Sequence, residues 1–330
     1  MRFAVDAHAI GRHLTGNEVY VRSLLNAFAA LDPDCEFVAY ISEDSARASV
    51  PARIRTRTIA ANPFLRLGLD LARRVREDNP GLLHVQYTAP VGCRVPVVVS
   101  VHDVSFLEHP EYFTRDRAWQ LQWTVRRTVK RAAKILTGSE FSRNAILKVY
   151  GDLEEDKVVV VPNAAASEFR PLAREAASAA VRERFRIGSP FILSVGDIQP
   201  RKNQIGLIRA FSKLVAAYPQ LKHDLVLVGK ETWFADRVRE AARESGRDLV
   251  CGPCARGGKG VGRRGAHSIL RFCVGQRPAA VLQCLRPVRI PIFLRRFRAA
   301  RAGGDGLRAG GGLLQHVGFA GGGGWCRNPV

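Results

Sequence analysis

The stretch that decides the fold reads Ser194-Val195-Gly196-Asp197-Ile198-Gln199-Pro200-Arg201-Lys202-Asn203. An apolar strand over residues 191–196 ends in glycine, a short loop carries two adjacent cations, and apolar residues at helical spacing follow over 204–217. Backbone N–H groups at the helix start and the charges of Arg201 and Lys202 converge on one point, which suits a pyrophosphate. A solvated basic turn explains the same residues equally well on position alone.

On both sides of this stretch, strands alternate with helices. Near-continuous β-branched runs predict parallel strands that are buried on both faces. Upstream, these strands are predicted at residues 3–7, 36–40, 82–85, 96–101, 133–137 and 158–161. Downstream, a strand over 224–229 and a helix over 233–244 repeat the unit. The sequence therefore predicts an α/β protein with a Rossmann-like domain over 1–170, a linker over 171–187 and the start of a second such domain over 188–250.

The composition of the chain changes near Val250. The 330 residues include 51 Lys and Arg against 30 Asp and Glu, a formal net charge of +21. Residues 251–330 hold 14 of those basic residues and 18 of the 30 glycines, but a single acidic residue, Asp305. Such a composition does not build a core, so we expect an aberrant tail that is disordered or poorly folded. A basic nucleic-acid-binding protein with a genuine Arg-rich tail stays open as an alternative.

His102 and Asp103 directly follow the predicted strand over 96–101. Open α/β sheets bind their ligands at the carboxyl ends of the strands. A histidine in that place can polarise a sugar hydroxyl or contact a phosphate. The alternative is a histidine that only caps or supports the local structure.

Two further loops follow predicted strands. The loop that contains Gly16 would let the backbone approach a ligand, although it has no full G-x-G-x-x-G. Ser139, Ser142 and Arg143 open a helix after the strand over 133–137 and can hydrogen-bond a sugar or a phosphate, with an ordinary N-cap as the alternative. Several such groups at one sheet edge indicate a ligand site more strongly than any one of them does.

Together these motifs resemble glycosyltransferase family 4, whose members have the two-domain GT-B architecture. The resemblance covers residues 1–250. It rests on the opening strand with Gly11 and Gly16, and on four motifs: V-H-D at 101–103, S-E-F-S-R at 139–143, V-V-P-N at 160–163 and S-V-G-x-x-x-P-R-K-N at 194–203.

The resemblance implies a retaining hexosyltransferase that uses a nucleotide-diphosphate sugar as donor and a glycan or lipid-linked acceptor, without a metal or a cofactor. Arg201 and Lys202 would hold the donor diphosphate, Gly16 would let its loop close on the donor, and His102 would lie beside the transferred sugar. The acceptor side of the cleft would include Asp103, Ser139, Ser142 and Arg143. We expect a cytoplasmic protein, and peripheral contact with the inner membrane face stays open.

The family pattern also requires a later element, E-G-F-G-L-P-x-L-E-A-M-A-x-G, whose two glutamates contact the donor. This chain has no glutamate after Glu244. The codons allowed for residues 281–312, read one nucleotide later, permit the missing element. Residues 293–298 permit F-F-E-G-F-G, and Asp305 contributes to the codon of the methionine. The sequence therefore predicts a frameshift near Val250 and a chain that is inactive as a transferase.

Overall fold

The computed structural model of the protein describes residues 1–12, 15–31, 34–165, 172–185, 187–246, 249–252 and 270–273. The chain forms two compact units, Met1–Ala164 and Ala165–Val330. The sequence places the end of the first domain at residue 170, near this division. The finer boundaries at 188 and 250 stay predictions.

The first unit is built on a seven-stranded parallel sheet in the order β3-β2-β1-β4-β5-β6-β7. Its strands are β1 Arg2–Asp6, β2 Glu36–Ile41, β3 Arg55–Thr58, β4 Leu82–Gln86, β5 Val97–Ser100, β6 Lys134–Thr137 and β7 Val158–Val160. Its helices are α1 Thr15–Leu31, α2 Pro63–Leu65, α3 Leu71–Asp78, α4 Ser105–Glu108, α5 Arg115–Arg131 and α6 Glu140–Val149. A π-helical turn, Arg66–Asp70, joins α2 to α3, and 3₁₀ turns cover Asp44–Ser49, Pro110–Tyr112 and Glu155–Lys157.

Apolar clusters on the two faces of this sheet explain why its strands other than β3 are mostly apolar. On one face, Val21 and Leu25 of α1 are fully buried against Val5 and Ile41 of the sheet. On the other face, residues such as Val129 of α5 pack against β4, β5 and β6. The six strands predicted in this part of the sequence are confirmed, each within two residues of its predicted ends.

The edge strand β3 was not predicted, because its sequence Arg-Thr-Arg-Thr has no apolar residue. Asp78, a buried carboxylate at the end of α3, explains its position. The side chains of Arg55 and Arg57 donate to Asp78 Oδ1 at 2.6 and 2.8 Å, and the Tyr40 hydroxyl donates to Asp78 Oδ2 at 2.9 Å. Ion pairing therefore holds this strand in place of apolar packing.

We expect the substitution Asp78→Ala to lower the free energy of unfolding of the first unit by about 2 kcal/mol, because it leaves the buried Tyr40 hydroxyl without its acceptor. Burial opposes the charge, but hydrogen bonds from Arg57 and Tyr40 outweigh it and lower the pKa of Asp78. The stabilisation is therefore complete above the unfolded-state pKa, about 4, and is lost as the pH falls through the lower folded-state value.

Urea unfolding at pH 7 and at pH 3, followed by circular dichroism, measures both effects. The matched control is Asp44→Ala, because Asp44 is exposed yet also accepts a hydrogen bond from β3, at Thr58. We expect the control to leave the unfolding midpoint unchanged. Equal losses in the two variants would contradict the assignment.

The second unit contains a parallel sheet in the order β10-β11-β9-β8. Its strands are β8 Phe191–Val195, β9 Asp224–Val228, β10 Leu249–Gly252 and β11 Leu270–Cys273. Its helices are α7 Arg174–Phe185, α8 Gln204–Ala217 and α9 Ala235–Glu244, with a 3₁₀ turn at Pro200–Lys202. The strands predicted over 191–196 and 224–229 and the helix over 204–217 are confirmed.

Two elements of this unit differ from the sequence-based expectation. The predicted linker over 171–187 contains α7, because Ala177, Val181 and Phe185 recur every four residues and form one buried stripe. The predicted tail over 251–330 contributes β11, which pairs in parallel with both β9 and β10. The second sheet therefore extends past Val250 by one strand. The prediction of a disordered tail otherwise falls on residues 253–269 and 274–330, which lie outside the described residues.

Candidate functional site

Polar side chains collect at the carboxyl edge of the first sheet, where its parallel strands all end. They are Asp6 at the end of β1, Gln86 at the end of β4, Ser100 at the end of β5, His102 and Asp103 after β5, and Ser139 and Ser142 after β6. Four of the predicted site residues are among them. This edge is the place where open α/β sheets bind ligands.

His102 lies half-buried in the loop that follows β5. Its Nε2 is 3.1 Å from Oε1 of Gln86, and the Tyr20 and Tyr87 rings stand nearly perpendicular to its ring at centroid distances of 4.7 and 5.7 Å. Burial lowers the pKa of His102, and the Asp103 carboxylate opposes this only in part. The imidazole is therefore neutral near pH 7 and offers one donor and one acceptor.

The loop after β6 and the start of α6 hold the backbone of His102 in place. Ser139 is the N-cap of α6, and its side chain accepts a hydrogen bond of 3.2 Å from the backbone N–H of Ser142. The hydroxyl of Ser142 is buried and donates to the backbone carbonyl of His102 at 3.1 Å. The ordinary N-cap that the sequence left open is thus present at Ser139, and Ser142 links the two loops.

Asp103 and Arg143 make local structural contacts. Asp103 Oδ1 accepts hydrogen bonds from the backbone N–H and the hydroxyl of Ser105, at 3.0 and 2.5 Å, and so fixes the start of α4. The Arg143 guanidinium donates to the carbonyls of Glu155 and Val158, each at 3.2 Å. Because Val158 begins β7, Arg143 faces the amino end of that strand and is not brought together with His102.

Sequence reasoning missed a buried charged cluster at the end of β1. Asp6 Oδ2 accepts a hydrogen bond of 2.6 Å from Arg66, and Asp6 Oδ1 lies 2.9 Å from Nδ1 of His8. Burial alone would raise the pKa of Asp6, but His8 and Arg66 outweigh it and lower the pKa. The available signal was an acid at the carboxyl end of an apolar strand. The buried Arg66 gave none, since it lies 60 residues further along the chain.

Gly16 lies in the first turn of α1 and is exposed. A Cβ atom built at Gly16 meets no heavy atom within 4 Å in the part of the chain that the structure describes. Packing inside the unit therefore gives no reason for a glycine here. The predicted role in donor closure stays a prediction.

In the second unit, residues 196–203 connect β8 to α8 and form what we call the basic loop. Arg201 and Lys202 belong to the 3₁₀ turn, and Asn203 caps α8 in the left-handed conformation, with its side chain accepting from the N–H of Gly206 at 3.2 Å. The side chain of Lys202 runs along Gly196, where an added Cβ would lie 3.5 Å from Lys202 Cε. Two cations and the amino end of a 14-residue helix therefore lie together, an arrangement that suits an anion.

A second glycine, which the sequence did not single out, shapes this loop. A Cβ at Gly229, directly after β9, would overlap the backbone carbonyl of Gly196, directly after β8. The two strand ends therefore approach each other so closely that only glycine fits at residue 229.

Comparison with known proteins shows which family the first unit is similar to. Residues 14–168 match the model of Glycosyltransferase Family 4. The chain is 27% identical over 152 residues to O-antigen chain mannosyltransferase B of Escherichia coli; the match covers 46% of this chain and 39% of that protein. The chain thus matches less than half the length of this curated relative.

Solved structures show the same fold. The structure of Anabaena Alr3699/HepE in complex with UDP and glucose superposes with a TM-score of 0.52 at 16% identity, over 86% of this chain and 89% of that one. WaaG, a glycosyltransferase involved in lipopolysaccharide biosynthesis, superposes with a TM-score of 0.57 at 13% identity, over 86% and 71% of the two chains. Residues 14–168 are therefore similar to glycosyltransferase family 4, and the chain has an α/β fold of the GT-B class.

Proposed function

We propose that this chain carries a large part of a retaining, metal-independent hexosyltransferase. Such an enzyme moves a sugar from a nucleotide-diphosphate donor to a glycan or lipid-linked acceptor. The observation that carries the proposal is the pair of cations at the start of α8. A departing nucleotide diphosphate develops negative charge, and Arg201 and Lys202 would stabilise it where other enzymes use Mg²⁺. No cofactor takes part in such a transfer.

The relatives support the donor class. HepE of Anabaena was solved with UDP and glucose and with UDP-glucose. A nucleotide-diphosphate sugar presents both a diphosphate, which suits Arg201 and Lys202, and a ring of hydroxyls, which suits a neutral histidine such as His102.

We further propose that the chain as written does not transfer sugar, because the two-glutamate element is absent from its reading frame. The family pattern requires that element in the second domain, and no glutamate follows Glu244. The residues of the shifted frame, 281–312, lie outside the described residues, so the proposal rests on the codons alone. Sugar transfer by a frame-restored chain, measured against the 330-residue chain, tests both parts of the proposal.

A peripheral membrane contact is proposed at α5. This helix carries six basic residues and one acidic residue, and its Trp119 and Trp123, four positions apart, are 70% and 62% exposed. Tryptophan rings suit the membrane–water interface, and basic side chains suit anionic lipids. No helix of the described residues is long and apolar enough to cross a bilayer.

We expect the 330-residue chain to bind vesicles of phosphatidylglycerol, and the double substitution Trp119→Ser/Trp123→Ser to weaken this binding at least about tenfold, because apolar contact is lost. Co-sedimentation with vesicles measures it. Trp233→Ser is the matched control, since Trp233 is 64% exposed but lies in the second unit. Equal binding by all three proteins would exclude α5 as the contact, and preferential binding of RNA over vesicles would favour the nucleic-acid alternative.

A further inference from the structure

Gln86, the last residue of β4, connects two parts of the candidate site. Its side chain is buried, with 6% of the residue exposed. Its Nε2 lies 3.3 Å from the backbone carbonyl oxygen of Asn17 in the first turn of α1, and its Oε1 lies 3.1 Å from Nε2 of His102. One carboxamide therefore joins the start of α1 to the histidine of the strand-end loop.

The two contacts together determine which atoms carry protons. A backbone carbonyl only accepts, so the group of Gln86 that faces Asn17 must be the NH₂ group. The amide oxygen then faces His102, and this oxygen only accepts as well. His102 must therefore donate from Nε2, which leaves Nδ1 as the unprotonated nitrogen of the neutral ring.

We propose that Gln86 is a positioning residue that fixes His102 in the tautomer with its proton on Nε2, so that Nδ1 is presented to the substrate as a hydrogen-bond acceptor. The relevance to catalysis rests on the proposed sugar-transfer function. Nδ1 has no hydrogen-bond partner among the residues that the structure describes.

This assignment decides between the two roles that the sequence left open for His102. A sugar hydroxyl carries a proton that Nδ1 can accept, whereas an ionised phosphate oxygen has none. With its only N–H already used by Gln86, the neutral ring is matched to a hydroxyl. The chemical class that His102 recognises is therefore a hydroxyl of the sugar or of the acceptor, and the diphosphate is left to other groups.

Several neighbours keep the ring in place and set its charge. The Tyr20 hydroxyl lies 2.8 Å from Ser100 Oγ, which in turn lies 2.8 Å from Nε2 of His84. Burial lowers the pKa of His84 to about 4, so this neighbour is neutral at pH 7. Among the described residues, the Asp103 carboxylate lies on the same loop as His102, and the Tyr87 ring after β4 meets the His102 ring.

The tautomer is measured on the whole 330-residue chain by nitrogen-15 NMR of its histidine rings, with His102→Asn to identify the resonances. We expect the wild-type ring at pH 8 to carry its proton on Nε2, with slow exchange of that proton with water. In Gln86→Glu a carboxylate faces the ring, so the midpoint of the His102 titration should move upward by at least about one pH unit. In Gln86→Leu the Nε2 proton should exchange rapidly.

The matched control is Gln122→Leu, because Gln122 on α5 also donates from its amide to a backbone carbonyl, that of Phe106 at 3.2 Å. It should leave the His102 resonances unchanged. A wild-type ring protonated on Nδ1 would overturn the proposal, whatever the Gln86 variants show. An unmoved titration midpoint in a folded Gln86→Glu variant would overturn it as well. The measurement uses no donor sugar, so a failed transfer assay and a failed tautomer assignment are separate outcomes.

Discussion

We expect a frame-restored chain to transfer sugar about 10⁴-fold faster, or more, than the 330-residue chain. Restoration means a one-nucleotide change near codon 250, so that the codons of residues 281–312 are read in the frame that permits the two-glutamate element. Each fixed group that stabilises transition-state charge contributes about 10²–10³-fold. The shifted frame permits glutamates at the codons of residues 295 and 303, and we expect each of them to contribute on this scale through its contact with the donor. Release of the nucleotide diphosphate from a panel of nucleotide-diphosphate sugars, with and without glycan and lipid-linked acceptors, measures the effect.

The control is the frame-restored chain with both new glutamates changed to glutamine, which should return to the level of the 330-residue chain. The nucleotide sequence across codon 250 gives an earlier test. A gene whose shifted frame does not encode the two-glutamate element would refute the frameshift. Turnover by the 330-residue chain would refute the claim of inactivity while leaving the similarity of residues 14–168 to the family intact.

The strands that the sequence predicts are those whose stability comes from burial. Runs such as Val97–Ser100 and Asp224–Val228 are apolar on both faces because helices cover both sides of the sheet. Strand β3 is held by ion pairs with Asp78, and such long-range pairing leaves no periodic signal. Helix α7 was hidden for another reason: its apolar residues are mostly alanines, which resemble those of a polar linker.

The sequence predicts those residues of the candidate site that directly follow predicted strands. His102, Asp103 and Ser142 come together because parallel strands carry their loops to the same edge. Arg143 starts the same helix as Ser142, yet its side chain reaches the opposite end of β7, and a sequence pattern does not give that direction. Gln86 was missed because it is the last residue of an otherwise ordinary strand, and its role depends on contacts with two distant segments.

The diphosphate site gives the second large expected effect. In the frame-restored chain, the double substitution Arg201→Ala/Lys202→Ala should lower kcat/KM for the nucleotide-diphosphate sugar by about 10⁴-fold, because both cations would act on the leaving group and each contributes about 10²–10³-fold. Steady-state kinetics at saturating acceptor measures it. Lys213→Ala is the matched control, since Lys213 is an exposed lysine of α8, the helix that the basic loop precedes.

The division of the loss between kcat and KM separates a diphosphate site from a solvated basic turn. Removing cations that stabilise charge on the departing diphosphate lowers kcat, while removing cations that only attract the donor raises KM and leaves kcat unchanged. Arg201→Lys keeps the charge but loses the bidentate geometry of the guanidinium, so its kcat should lie between those of wild type and Arg201→Ala. If the double variant keeps wild-type kinetics, Arg201 and Lys202 belong to an ordinary surface turn. Other residues would then contact the leaving group.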